Sequence, residues 1–426
     1  MRVAVIGAGI VGVTSAHELA AAGHEVTVFE QGGSVAAEGS FANAGLDGTG
    51  WAVAWSPLTV TGSLLGLVLR ARLPAALKPG VRPGACAWTL GWLAAHRLSA
   101  QQLSRQRLHR LAGYSQARML ELTRLLQLDF ERSSGSLVVS KCAAETEHMH
   151  VALATLGELG VRSSLLTPEQ CRSIEPGLNP EARLHAGVHL PEDGVGNCRE
   201  FVHLIRQQAQ RHGTRFVFNA QVLAIHPGAR PELTVAHKGM GSDARPVRDR
   251  FDAVLICAAI GSHRLLSPLG VRLTLIGVHR HSVTAPLRLD EVEVHIGPNA
   301  ALIDPALAIT ITRMGARVRV SGGTRLGPMS RSVTAAALRQ LYQSLDEWFP
   351  GAARVGQASH WQGVSPTLPD GLPVIGPSGA EGVWLNLGHG SVGWALSCGS
   401  AQLVAALMGG SPPDFDVAGL GAERLR

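Results

Sequence analysis

The hydrophobic pattern is tightest at the start of the chain, where Val3, Ala4, Val5 and Ile6 run without a polar break. Such a run suits a parallel strand buried on both faces. Small and apolar residues over 13–22 then read as a helix, which Gly23 stops. Val26, Val28 and Phe29 form a second strand that ends at Glu30. Helical spacing returns over 86–96 and 99–128. The second stretch repeats Leu103, Leu108, Leu111, Met119, Leu122 and Leu126 with arginines between, as one long amphipathic helix or a kinked pair.

The pattern then alternates between short strands and helices. Residues 135–140 read as a strand, 143–159 as a helix stopped by Gly160, and 165–166 as a short strand. Thr167 and Pro168 suit the N-cap and first position of a further helix. A strand over 186–191 is expected to close in a turn at Glu192-Asp193-Gly194, followed by a helix over 198–213 and strands over 214–219 and 221–226. The polar, glycine-rich stretch 227–250 reads as a hairpin excursion, and 251–258 as a wholly apolar strand. Alternation at 282–284, 308–312 and 317–321, separated by turn residues, suits an antiparallel sheet. After a helix over 332–348, the end of the chain repeats the opening order: a strand at 383–387, a glycine-rich turn, and a helix that stops at Gly409-Gly410.

At 426 residues the chain exceeds the roughly 250–300 at which single cores stop growing, so two domains are expected. With 46% hydrophobic and 16% charged residues it is a packed globular chain. The net charge of +6 is scattered rather than blocked, which argues against nucleic acid and suits a solvated basic surface. The six cysteines are too dispersed for a C-x-x-C pair or a zinc or iron–sulfur cluster, so no metal is expected and a reduced setting fits. The apolar stretch 58–69 falls short of the roughly 20 residues that a spanning helix needs, so membrane association would be peripheral.

The chemistry enters at the turns. Gly7, Gly9 and Gly12 stand in the spacing G-x-G-x-x-G between the first strand and the first helix. Gly7 allows the tight turn, Gly9 lets a pyrophosphate approach the backbone, and Gly12 lets helix and strand pack closely. The helix N-terminus faces the phosphates with free N–H groups. Glu30 is placed to accept both ribose hydroxyls and disfavours a 2′-phosphate, which leaves FAD or NAD. A second glycine turn, Gly388-His389-Gly390-Ser391-Val392-Gly393-Trp394, feeds the last helix. It reads either as an anion site for the N1–C2=O edge of a flavin or as close packing around a hydrogen-bonded core His389. Two such helix starts at opposite ends of one chain favour a ligand as long as FAD. An NAD-linked dehydrogenase would use the first turn alone.

Taken together, several stretches resemble one family almost end to end: residues 7–30, the loop Ser40-Phe41-Ala42-Asn43-Ala44-Gly45, Trp55, Tyr114-Ser115, residues 309–313 with 317–320, Pro369-Asp370-Gly371-Leu372-Pro373, and residues 388–400. The chain is similar to the small-subunit FAD-dependent D-amino acid dehydrogenases of the D-amino acid oxidase and glycine oxidase group. The resemblance implies an α/β (α+β) fold, with a discontinuous Rossmann-type FAD domain at 1–56, 186–266 and 358–426 and an antiparallel-sheet substrate domain at 57–185 and 267–357. It implies non-covalent FAD, contacted by Ile6, Gly7, Gly9, Ile10, Val11, Gly12, Glu30, Gln31, Ser40, Asn43, Ala44, Gly45, Leu46, Val222, Ala259, Gly261, Pro373, Gly388, His389, Gly390, Ser391, Val392 and Gly393. It implies hydride transfer from the α-carbon of an amino or imino acid to flavin N5, then hydrolysis of the imine to a keto acid and ammonia. A quinone or electron-transfer acceptor and a cytoplasmic location, peripheral on the inner face of a bacterial membrane, complete the expectation.

The substrate clamp departs from the family pattern. Relatives carry arginine in a G-x-R-P turn, where it grips the substrate carboxylate, and this chain has Ser365. A family tyrosine in a K-G-Y-S segment matches His281 within His279-Arg280-His281-Ser282. Three readings stay open. Arg280 or Arg313 takes the carboxylate with His281 in place of the tyrosine, and Trp55 and His389 complete the substrate site. Alternatively, the substrate is of the glycine, sarcosine or D-hydroxyproline type, bound differently. Or the chain is an FAD-binding subunit of weak activity.

Overall fold

The computed structural model describes residues 1–55, 83–95, 98–238, 246–288, 297–326 and 335–425. The apolar stretch 58–69, the domain boundary near 57, the tip of the 227–250 excursion and the start of the 332–348 helix lie outside these residues.

The opening run forms the strand Arg2–Ile6 at the centre of a six-stranded sheet. On one side it pairs in parallel with Glu25–Phe29, which pairs in parallel with Arg215–Val217. On the other it pairs in parallel with Ala253–Ile256, followed by Val383–Leu387 and the antiparallel edge strand Val374–Pro377. The first and last strand–turn–helix units are thus two places apart in one sheet. Helix Gly393–Met408 packs against both Ile10–Ala21 and Leu98–Leu125. The residues Gly390–Met408 are long and apolar enough to cross a membrane by length and composition, but 72% of the window is buried as a core helix.

A second sheet of eight strands runs in the order Ser359–Thr367, Ile276–Pro286, Arg317–Leu326, Ile309–Met314, Ala301–Asp304, Arg132–Ser140, Ala186–Gly196, Ser164–Leu166. Its pairs are antiparallel except for Ala301–Asp304 with Arg132–Ser140. Two of its strands, Ala186–Gly196 and Ser359–Thr367, fall inside segments that the sequence division gives to the nucleotide unit. The strand Ala186–Gly196 also runs straight through Glu192-Asp193-Gly194, so the expected turn is absent. A register shift opposite Ser134 and Ser136 accommodates the turn-like residues within the ladder. A small antiparallel sheet, Ala220–His226, Glu232–His237 and Val247–Arg250, is the excursion.

The long amphipathic stretch is one helix, Leu98–Leu125, rather than a kinked pair. Arg118 on it clasps the nearly buried Glu18 of the first helix through Nε and Nη2, at 2.9 and 2.8 Å. Ser115 Oγ accepts the Gly399 N–H at 3.0 Å, so this helix clamps both glycine-turn helices from one side. Helix Pro168–Ile174 begins in a full capping box between Thr167 and Gln170.

Candidate active site and cofactor cradle

The glycines of the first turn are required by space. Gly7 has φ +104°, and a Cβ there would stand 2.7 Å from the Cys257 carbonyl oxygen. A Cβ on Gly12 would run into the Gly7 carbonyl oxygen. Among the described residues Gly9 borders only Ser40 Oγ, which leaves its outer side open to a ligand. Helix Ile10–Ala21 has neither a side chain on its N-cap nor an acid in its first turn. Ser40 Oγ accepts the Ile10 N–H at 3.0 Å, tying the loop after the second strand to the helix start. The two Glu30 carboxylate oxygens accept the Ala8 N–H at 2.8 Å and the Gly32 N–H at 2.7 Å, which fixes the carboxylate beside the turn. The turn carrying Ala259 and Gly261 abuts Gly7 through Cys257 and Ala258. The Asn219 and Ala220 N–H groups donate to the Gly32 and Glu30 carbonyls, which ties the start of the strand carrying Val222 to the turn after Glu30. Gln31 is exposed and reaches Glu38, and Pro373 is buried just before the strand Val374–Pro377.

The long loop 40–47 is held by both sheets. Ser282 Oγ donates to the Ala42 carbonyl and Arg319 Nη1 to the Asn43 carbonyl, each at 2.9 Å. Gly45 accepts the Gly196 N–H at 2.8 Å, and Asp47 donates to the Gly194 carbonyl at 3.1 Å. A cavity opens between this loop, the face of the eight-stranded sheet and the start of the last helix. Asn43, Ala44, Gly45, Leu46, Arg280, His281, Ser365 and Ser391 line it, as expected from sequence. Trp51, Ser321, Trp361 and Trp394 line it as well and were not foreseen. Three buried polar atoms at this cavity, Arg280 Nε, Ser321 Oγ and Trp394 Nε1, have no hydrogen-bond partner among the described residues. Buried polar atoms without partners are rare, and three around one cavity fit a polar ligand there. The open Gly9 cradle and these atoms lie where the phosphate and flavin ends of FAD are expected.

Three of the expected substrate contacts need correction. Arg313 turns back on itself, its Nε donating to the Gly315 carbonyl at 3.1 Å, and does not line the cavity. Trp55 ends helix Thr49–Ala54 and packs on the core, while Trp51, one turn earlier, takes the cavity wall. His281 stays at the cavity, with its ring beside Gly323 near Ala337. His389 is a core histidine: its Nε2 is 3.0 Å from Ser400 Oγ, and burial lowers its pKa to about 3, so it is neutral.

Arg280 remains. It has no ion pair or hydrogen bond among the described residues, and burial lowers its pKa to about 10, which leaves it cationic at neutral pH. It faces Gly363 across the ladder, two pairs from Val278 opposite Ser365. Residues diagonal across two antiparallel strands share a face at about 7–8 Å. The side chains of Arg280 and of residue 365 therefore leave the same face of the ladder.

A pair of buried carboxyls supports the loop. Asp193 accepts the Gly50 and Trp51 N–H groups at 2.9 and 2.8 Å, capping helix Thr49–Ala54 and setting the Trp51 position. Burial pushes Asp193 up to about 6, and burial together with Asp193 pushes Asp47 up to about 7. Both folded values lie above the unfolded value of about 4. The stability they contribute is full below that value and is lost as pH rises through about 6 to 7. Melting curves should therefore fall more steeply over this window for the wild type than for Asp47→Asn. Parallel profiles would show that the pair does not carry a shared proton.

The family model for FAD-dependent oxidoreductases (DAO) matches residues 2–407. The chain belongs to the DAO family of FAD-dependent oxidoreductases. It is 33% identical to the D-amino acid dehydrogenase of Rhizorhabdus wittichii over 100% of both chains. It is 32% identical to that of Bradyrhizobium diazoefficiens, over 100% of this chain and 99% of the relative. Among solved structures, glycine oxidase from Geobacillus kaustophilus superposes with a TM-score of 0.74 at 20% identity, covering 99% of this chain and 98% of that one. The protein is an enzyme, its cofactor is FAD, and the mixed α/β architecture is that of the family.

Proposed function

We propose that this DAO-family enzyme oxidises D-amino acids to imino acids, which water converts to keto acids and ammonia, and that it passes the electrons to an acceptor other than oxygen. The observation that carries this reading is Arg280, a desolvated cation without a counter-charge among the described residues, diagonal to Ser365 on the wall of the cavity. An unpaired buried charge is costly and asks for an anionic ligand. A planar guanidinium matches a carboxylate in two parallel hydrogen bonds.

FAD, when bound, supplies the hydride acceptor. Arg280 would fix the carboxylate and so hold the α-carbon at one place. Ser321 Oγ and Trp394 Nε1 supply further hydrogen-bonding capacity at the cavity. The dinucleotide would be held by the Gly7–Gly12 turn, Glu30 and the start of the last helix. The acceptor reading rests on relatives named as dehydrogenases. Peripheral contact with an anionic membrane surface belongs to the same proposal. It is supported by Leu90 and Leu103, which are 67% and 46% exposed on neighbouring helices, with Arg110 exposed farther along.

Turnover of D-alanine should release ammonia and reduce a soluble quinone analogue, with little hydrogen peroxide in air. Peroxide equal to the ammonia formed would make the protein an oxidase. Co-sedimentation with anionic but not neutral vesicles checks the membrane contact.

A further inference from the structure

Trp361 lies in the same ladder as Arg280. It faces Ser282 across the pair, two residues before Gly363, which faces Arg280. Residues two apart on a strand share a face. The indole leans over Gly363 so closely that a Cβ there would overlap its six-membered ring. Phe41 stacks against Trp361, with ring centroids 6.3 Å apart and planes 22° apart. Behind Phe41, the exposed Arg199 guanidinium sits 4.1 Å from the ring centroid. The loop that carries Phe41 is itself pinned by the Ser282–Ala42 hydrogen bond. The indole is thus fixed at its far edge by Gly363 and on one side by Phe41, on the ladder face that carries Arg280. Trp51 and Leu46 close the same cavity. Among the described lining residues there is no carboxylate.

We infer that Trp361, laid over Gly363 and backed by Phe41, is a specificity-determining shelf that selects amino acids with flat, uncharged side chains, aromatic ones above all. This rests on the reading of Arg280 as the carboxylate anchor. A substrate held there has its side chain a few ångströms from the indole, because carboxylate and side chain leave the same carbon. Aromatic faces gain from stacking beyond burial alone. A cationic side chain in this cavity would meet Arg280 with no acid to balance it, which disfavours lysine- and arginine-like substrates.

The test uses the flavin-loaded protein under anaerobic conditions, following flavin reduction by D-phenylalanine, D-alanine and D-lysine. D-phenylalanine should exceed D-alanine by at least about tenfold in kcat/KM, with D-lysine slowest, an advantage of about 1.4 kcal/mol or more in transition-state binding. Trp361→Leu should abolish the aromatic advantage, lowering kcat/KM for D-phenylalanine at least about tenfold more than for D-alanine. Gly363→Ala, which has no left-handed backbone to strain, should displace the ring and have the same effect. Phenylacetate and acetate, which carry the carboxylate without an amine, give a binding readout through tryptophan fluorescence. Phenylacetate should bind at least about tenfold tighter in the wild type, and the gap should close in both variants. If D-amino acids reduce the flavin without an aromatic preference, or both variants slow all substrates equally, the shelf is overturned while the Arg280 reading stands. If no D-amino acid reduces the flavin of the wild type, the underlying reading fails as well.

Discussion

Arg280→Gln is expected to lower kcat/KM for D-amino acids by about a thousandfold while the protein still purifies with its flavin. Removing one partner from a buried charge pair costs about 3–5 kcal/mol, and each 1.36 kcal/mol is a factor of ten. The loss should appear mainly as weaker substrate binding, because the residue grips a carboxylate that does not react. Arg280→Lys should recover only part of it, since an ammonium cannot make the paired, planar contact. The variant should be no less stable than the wild type. The guanidinium has no ion pair or hydrogen bond among the described residues, so no protein partner is left unpaired when it goes. Stopped-flow reduction together with a melting curve checks both halves. Unchanged substrate affinity would remove Arg280 from the site.

The second large effect is expected at Gly12. Gly12→Ala should give a folded protein that is nearly colourless and whose melting temperature no longer rises with added FAD. The new Cβ would meet a backbone atom, the Gly7 carbonyl oxygen, which cannot rotate away. The helix start must therefore move off the strand, and the N–H groups of the phosphate cradle move with it. Overpacking of this kind costs about 1–3 kcal/mol. If it falls on the bound form, affinity drops by about ten- to a hundredfold. Stabilisation by a ligand scales with RT ln(1 + [L]/Kd), so the FAD-dependent shift shrinks accordingly. Gly9→Ala, with open space beside it, should perturb the fold less and act mainly on the bound phosphate. A Gly12→Ala protein that retains wild-type flavin content would contradict this account of the turn.

Features that arise from local chemistry could be read from the sequence. The first strand, its glycine turn, helix and Glu30 follow one another within thirty residues, and the fold keeps all of them in that order. The long helix was legible because its leucines repeat at helical spacing over seven turns or so. What was not legible depends on register between distant strands. Arg280 and His281 are neighbours in sequence, and only pairing with Ser359–Thr367 decides that Arg280 meets Gly363 while His281 meets Gln362. Arg313 looked equivalent to Arg280, but its strand ends in a tight turn whose carbonyl takes its side chain. Trp51 and Trp55 lie one helical turn apart, and their roles are set by Asp193, 142 residues from Trp51, which caps the helix. Asp193 itself was hidden in a Glu-Asp-Gly triplet that has turn composition and strand conformation. The Trp361 shelf was invisible for a similar reason: a glycine two residues along the strand means little until the ring is seen lying on it.

One spectrum tests the central claim most directly. The purified, flavin-loaded enzyme is made anaerobic and mixed in turn with the D- and L-forms of the same amino acid. The account predicts that the visible flavin band bleaches with the D-form, with keto acid and ammonia formed in proportion, and persists with the L-form. A flavin band that persists with every D-amino and imino acid, in a protein that demonstrably holds FAD, would contradict it.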